Sequence, residues 1–209
     1  MPKLGVVKFL ALVVALVGLS AVMGWILDID FLKSTWISPT AMKFTTAMGF
    51  VASSIVLYSA ATEKKEASFV VQVVLPAAIL LILLQMVTLL ISVIFGFQTD
   101  IDVLFMQEKS RVANVFISGR PSIPTMVGLI LVAVSGIWTF IGWKKHLLWM
   151  GGIIMIIGGT AALGYMTQQP FLYYMINSIS TAMALNTAML FILIGSGFIL
   201  CGKTILEQN

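Results

Sequence analysis

Six long apolar runs, at about 5–27, 42–61, 68–96, 123–143, 146–166 and 181–202, are separated by shorter polar breaks. None alternates with the two-residue period of a spanning strand. Their lengths approach the roughly 20 residues that carry a helix across a hydrocarbon layer of roughly 30 Å. The pattern therefore predicts six membrane-spanning helices. Pro76 lies near the start of the third run and predicts a kink there. The segments Ser38-Pro39 and Ser122-Ile123-Pro124 are expected to turn the chain back into the membrane, since proline is tolerated at a helix start.

The breaks alternate in character. The first, third and fifth are longer and open on a repeated stretch. Gly24-Trp25-Ile26-Leu27-Asp28-Ile29-Asp30-Phe31-Leu32 recurs as Gly96-Phe97-Gln98-Thr99-Asp100-Ile101-Asp102-Val103-Leu104, and in a worn copy as Gly164-Tyr165-Met166-Thr167-Gln168-Gln169-Pro170-Phe171-Leu172. Each has a glycine, then an aromatic, then Asp-Ile-Asp or its polar remnant, then a leucine eight residues after the glycine. Phe31–Trp36, Val103–Gln107 and Phe171–Met175 are expected to form short helical turns on the membrane surface. The even-numbered runs repeat as well. Met42–Phe50 and Met183–Phe191 share five of nine residues, and the middle copy, from Ser122 to Leu129, keeps only the threonine. Thr46, Thr125 and Thr187 are equivalent in this alignment. The expected architecture is one all-α membrane domain over 1–209, built from three parallel hairpin units at about 5–62, 67–144 and 145–203.

Composition agrees with the pattern: 60% of the 209 residues are hydrophobic and 10% are charged, with a mean hydropathy of +1.08. A water-soluble domain carries about 25% charged residues. The net charge of +4 is small and tied to helix ends, so nucleic acid is not an expected partner. A single cysteine, Cys201, excludes an internal disulfide and a cysteine-based metal cluster. Seven of the twelve Lys and Arg residues fall in the N-terminal segment, the two short loops and the tail, tight against helix ends. By the positive-inside rule both termini are expected in the cytoplasm, and the three repeated loops outside a cell membrane. The first run resembles a signal peptide but is long enough to span and ends in the first copy of the repeat, so it is expected to be retained.

An acidic or polar outer loop, followed by a helix start such as Met42-Lys43-Phe44-Thr45-Thr46-Ala47-Met48-Gly49-Phe50 or Asn186-Thr187-Ala188-Met189-Leu190-Phe191, resembles the N-terminal sensory regions of prokaryotic histidine kinases and related signalling proteins. Gly119-Arg120-Pro121-Ser122 echoes the loop before the middle copy. The resemblance implies a six-helix membrane sensor. No phosphoacceptor helix or nucleotide loop accompanies it here, so signalling is expected to pass through another chain.

Candidate chemistry is sparse. Asp28 with Asp30 and Asp100 with Asp102 set two carboxylates two residues apart, as a cation site would, although solvated helix-end anchors also look like this. Gln85 and Asn186 are polar groups within or at the edge of apolar runs, where pairing or a ligand contact is expected. Trp25 suits the interface. Lone His146 is read as interfacial and Cys201 as packing. No Ser/His/Asp or Cys/His arrangement is visible, and no acid or arginine lies mid-span, which disfavours an ion-driven transporter. The reading is a non-enzymatic sensory or ligand-binding module without a cofactor, embedded in the lipid bilayer. It would take a hydrophobic small ligand near Thr46, Thr125, Thr187, Asn186, Gln85, Asp30, Asp102 and Trp25, and act through a protein partner or a second copy. The alternatives are an accessory subunit of a membrane complex and a small transporter.

Overall fold

The computed structural model describes residues 2–34, 40–62, 70–96, 120–174 and 181–207. All regular structure among them is helical. The helices are α1 (Pro2–Ile26), the short α2 (Asp30–Lys33), α3 (Phe44–Ala60), α4 (Leu75–Phe95), α5 (Ile123–Ile141), α6 (Leu147–Thr167) and α7 (Leu185–Leu206). A π-helical turn, Val70–Val74, leads into α4, and a 3-10 turn, Lys144–His146, leads into α6. Pro76 lies in the first turn of α4, immediately after the π turn. A proline has no N–H to continue the i→i−4 ladder, so the change of pitch falls where the sequence predicts a kink.

Five helices are long and apolar enough to cross a membrane. The sixth predicted span, α3, is not among them, with 17 residues. Its start is held back because Met42 N–H donates to the Lys33 carbonyl at 2.8 Å and Lys43 is extended, with ψ 148°. At 1.5 Å per residue α3 covers about 26 Å. It is also the most enclosed helix, with buried residues around most of its circumference. A helix sheathed by other helices meets little lipid, so its length is not set by the lipid.

Each helix before a repeated break packs mainly on the helix that follows: α1 on α3, α4 on α5 and α6 on α7. Each also packs on a second helix from another pair: α1 on α7, α4 on α3 and α6 on α5. The pairs thus close into a ring with α3, α5 and α7 inside. There, Gly49 of α3 faces Leu129 of α5, Gly128 of α5 faces the Phe191 ring of α7, and Phe191 meets Phe50 of α3 edge-on at 5.1 Å between ring centres. Leu129 and Phe191 each fill the gap left by a glycine on a neighbouring helix. About two turns further along, Gly197 receives Leu57 and Gly136 receives Val56 and Ile79 in the same manner.

The tightest crossing is α6 on α7. A Cβ on Gly151 would lie 2.6 Å from the Gly195 carbonyl oxygen, and one on Gly195 would lie 2.6 Å from that of Gly151. Gly158 stands in the same relation to Ala188, at 2.5 Å. Small residues allow this approach, as they do between membrane helices generally. Lys3 pairs with Glu207 at 2.6 Å, joining the start of α1 to the end of α7.

Candidate functional site

The repeated stretch builds the same corner twice. Gly24 and Gly164 each end the buried stripe of a helix. Buried positions 7, 11, 14, 18, 21 and 24 of α1 recur at 147, 151, 154, 158, 161 and 164 of α6. The Gly24 carbonyl accepts from Ile29 N–H at 2.8 Å, and the Gly164 carbonyl from Gln169 N–H at 2.9 Å. The residue before each donor, Asp28 or Gln168, takes a left-handed conformation, with φ 54° and 55°. The chain then folds back so closely that a Cβ on either glycine would lie 2.7 Å from the Cβ of Leu32 or Leu172. The spacing of glycine and leucine is thus the spacing of a steric contact.

The aromatic after the glycine ties the corner to the next helix. Trp25 Nε1 donates to the Met42 carbonyl at 2.8 Å, and the Tyr165 hydroxyl donates to the Met183 carbonyl at 2.7 Å. Met42 and Met183 N–H groups in turn donate to the Lys33 and Tyr173 carbonyls, at 2.8 and 2.9 Å. Trp and Tyr are interchangeable here because each carries one donor at the end of a rigid ring.

The predicted copy at Gly96 departs from this. Gly96 is the left-handed cap of α4, with φ 70°, and its Cβ position meets nothing within 4 Å. The buried stripe of α4 runs 75, 79, 82, 86, 89 and 92, so Ser92 occupies the place of Gly24 and Gly96 lies one turn beyond. The remainder of that copy, including Asp102, lies outside the described residues, as do Trp36, Val103–Gln107 and Met175. Of the predicted surface turns, the first is α2, and Pro170–Tyr174 forms turns with Tyr173 stacked on Tyr165 at 4.5 Å.

The two carboxylates of the first corner serve an amine. Lys33, at the end of α2, is 5% exposed. Its ammonium donates to Asp28 at 2.6 Å and to Asp30 at 3.2 Å, and it lies 4.8 Å from the centre of the Trp25 ring. Burial pulls the Lys33 pKa down, but hydrogen bonds and attraction from Asp28 and Asp30 outweigh it and leave the pKa above its ordinary value. Asp28 and Asp30 themselves face outward. Asp28 and Asp30 thus hold the Lys33 ammonium, and among the described residues no group of three or more His, Cys, Asp or Glu is placed to hold a metal.

Thr46, Thr125 and Thr187 share one register. Each is buried, and each lies one turn before Phe50, Leu129 or Phe191 of the central layer. Thr125 shares a hydrogen bond of 2.7 Å with Ser122, the capping residue of α5. Asn186 accepts from Thr187 N–H at 3.0 Å and donates to the Lys33 carbonyl at 3.4 Å, so the first corner touches the start of α7. Trp25, Asp30, Lys33 and Asn186 are thereby brought together. Gln85 is not part of this group. It lies halfway along α4, with Oε1 buried and without a hydrogen-bond partner.

Two residues stand out that the sequence reading passes over. Lys33 is the centre of the corner, and its signal was an amine three and five residues beyond two acids. Thr45, next to the aligned Thr46, has a buried hydroxyl without a partner. No protein-family profile matches the chain, and no curated protein or solved structure does either.

Proposed function

We propose that the chain is a non-enzymatic membrane sensor or ligand-binding module that acts through a partner protein, in the manner of the sensory regions of prokaryotic histidine kinases. Its six helices would cross a cell membrane as three parallel hairpin units, with the corners outside and both termini in the cytoplasm. The shared corner at Gly24 and Gly164 and the shared register of α3, α5 and α7 support the repeat. The short basic segments at the opposite end support the orientation.

The observation that carries the functional reading is that α7 is tied to α2 at the corner and to α1 at the other end. Asn186 meets the Lys33 carbonyl at the corner, and Lys3 meets Glu207 at the termini. A ligand seated between Trp25 and Asn186 would bear on α1 and α7 together, and a partner packed on either would read the change. Such coupling requires the pair to have two arrangements with different ligand affinity.

The test is affinity purification from native membranes in mild detergent. Recovery of a signalling kinase or other effector supports the proposal. Recovery of a self-sufficient monomer with neither partner nor ligand would sink it. An accessory subunit is the second reading, favoured by the open lipid-facing glycines Gly152 and Gly159 of α6, and would be recovered in a large stoichiometric assembly.

A further inference from the structure

Three buried side-chain polar atoms among the described residues lack a hydrogen-bond partner: Thr45 Oγ1, Ser59 Oγ and Gln85 Oε1. Leaving such a group unmade is costly, and in native proteins ordered water is the usual explanation. Their placement is not scattered. Thr45, Ala52 and Ser59 lie seven residues apart and form one stripe along α3, all buried. The matching stripes of α5 (124, 131, 138) and α7 (186, 193, 200) are only half-buried, so something extra covers α3 here.

The cover is α4. Two other neighbours of α3 use different faces, Gly18 of α1 meeting Ala47 and Val51 and Gly197 of α7 meeting Leu57, while α5 borders the stripe, its Leu129 meeting Gly49 and its Gly136 meeting Val56 beside Ile79 of α4. Of the described long helices packed on α3, α4 remains. Gln85 belongs to α4, one position off the Ile79, Ile82 and Met86 line, and Ile79 of that line meets Gly136 of α5. All three unpartnered atoms therefore belong to the two helices of one seam. Thr45 and Ser59 stand about 21 Å apart along α3 at 1.5 Å per residue. Gln85, at the midpoint of α4, falls between them.

We infer that the seam between α3 and α4 is hydrated, with a file of water molecules running from Thr45 past Gln85 to Ser59. One polar head group of a lipid or other amphiphile reaches one level of the membrane, whereas these groups occupy three. Water supplies the donor that the Gln85 carbonyl oxygen needs and both a donor and an acceptor for each hydroxyl. A buried water makes about three such bonds. The corresponding position of α1 is Val17, so the hydrated seam belongs to this one junction of the ring.

Solid-state NMR of the full chain in bilayers tests this. The protein is labelled with 13C,15N-glutamine and 13C-leucine, and proton magnetisation is transferred from water. The Gln85 side-chain amide is assigned by its loss in Gln85→Met, or by elimination using variants at the other glutamines should Gln85→Met not fold. Build-up at Gln85 within about threefold of the exposed Gln168 and Gln169, and at least fivefold faster than at the Leu129 methyls, is the expected result. Build-up no faster than at Leu129 overturns the inference. So does faster transfer to Gln85 from lipid protons than from water, which would assign the seam to an amphiphile.

Discussion

Single glycines in this protein do opposite things, and the difference is measurable. Gly24 and Gly164 make room for Leu32 and Leu172 at 2.7 Å, so Gly24→Ala and Gly164→Ala force the corner apart. Overpacking of this kind costs about 1–3 kcal/mol. Gly152 and Gly159 lie in α6 with open space around them. Alanine there removes the backbone-entropy cost of glycine in a helix, worth up to about 1 kcal/mol. Unfolding of detergent-solubilised protein by SDS should show lowered midpoints for the first pair and unchanged or raised midpoints for the second. From sequence alone all these glycines look alike. A glycine can mark a close contact, as Gly24 does, or a left-handed cap, as Gly96 does, and only the fold separates them. In the second copy only Gly96 lies among the described residues, and there the glycine is a cap and not a contact.

Lys33 makes the second residue-scale prediction. Its carboxylate partners are exposed, so Coulomb attraction contributes little, about 0–1 kcal/mol. The Trp25 ring adds about 0.5–1 kcal/mol. Lys33→Met keeps the packed stem and should lower stability by about 0.5–2 kcal/mol, the sum of these terms. Because the folded pKa is raised, this contribution is fully present below the unfolded value of about 10.4 and is lost as pH rises through the higher folded value. The stability gap between native protein and Lys33→Met should therefore be constant from pH 7 to 9 and close in more alkaline solution. A gap that is already absent at pH 7 would show that Lys33 merely fills space. The corner's carboxylates were legible as a pair in the sequence, but their partner was not, because a loop lysine and a buried lysine have the same letter.

Between elements, the closest approach is α6 on α7, where the Gly151 and Gly195 backbones touch. Gly151→Ala meets a carbonyl oxygen and backbone atoms, which cannot turn aside. Gly128→Ala meets the end of the Phe191 ring, which can. Gly151→Ala should thus lower the unfolding midpoint well beyond Gly128→Ala, and a second change at Gly195 should add little once the helices have separated. Helix positions followed the apolar runs closely, since a run of hydrophobic residues of this length has few alternatives. The starts follow less closely: the last helix begins four residues into its run, and α3 begins two residues into its own. Its start is determined by the hydrogen bond between Met42 and Lys33, which involves a segment nine residues earlier and leaves no local trace. Thr45 shows the converse problem. Alignment of the repeats drew attention to Thr46, which is buried in the shared register, whereas the unpartnered hydroxyl sits on the face unique to α3.

At the scale of the whole molecule, the pairwise packing forms a closed circuit. Each of α1, α4 and α6 rests on its own following helix and on one from another pair, so no helix pair is peripheral. The circuit closes where Lys3 meets Glu207 and where the Lys144 ammonium donates to the Ala60 and Thr62 carbonyls at 3.0 and 2.9 Å, capping α3 from the start of α6. The Lys3–Glu207 pair is exposed and should contribute little by itself: Lys3→Gln is expected to change stability by less than about 0.5 kcal/mol.

The nearness of those two ends has a topological meaning. A ring of helices has no privileged first member, and the break in the covalent chain could lie at any short connection on that side. Joining residue 207 to residue 3 through a short flexible linker, and opening the chain between α3 and α4, would give a rearranged order in which α4 comes first and α3 last. Every packing contact described above would survive, because none depends on which bond is left open. The permuted chain should run as a monodisperse species in detergent, with an unfolding midpoint close to that of the native order. Failure to assemble would mean that the order in which the helices enter the membrane, rather than their final packing, decides the fold.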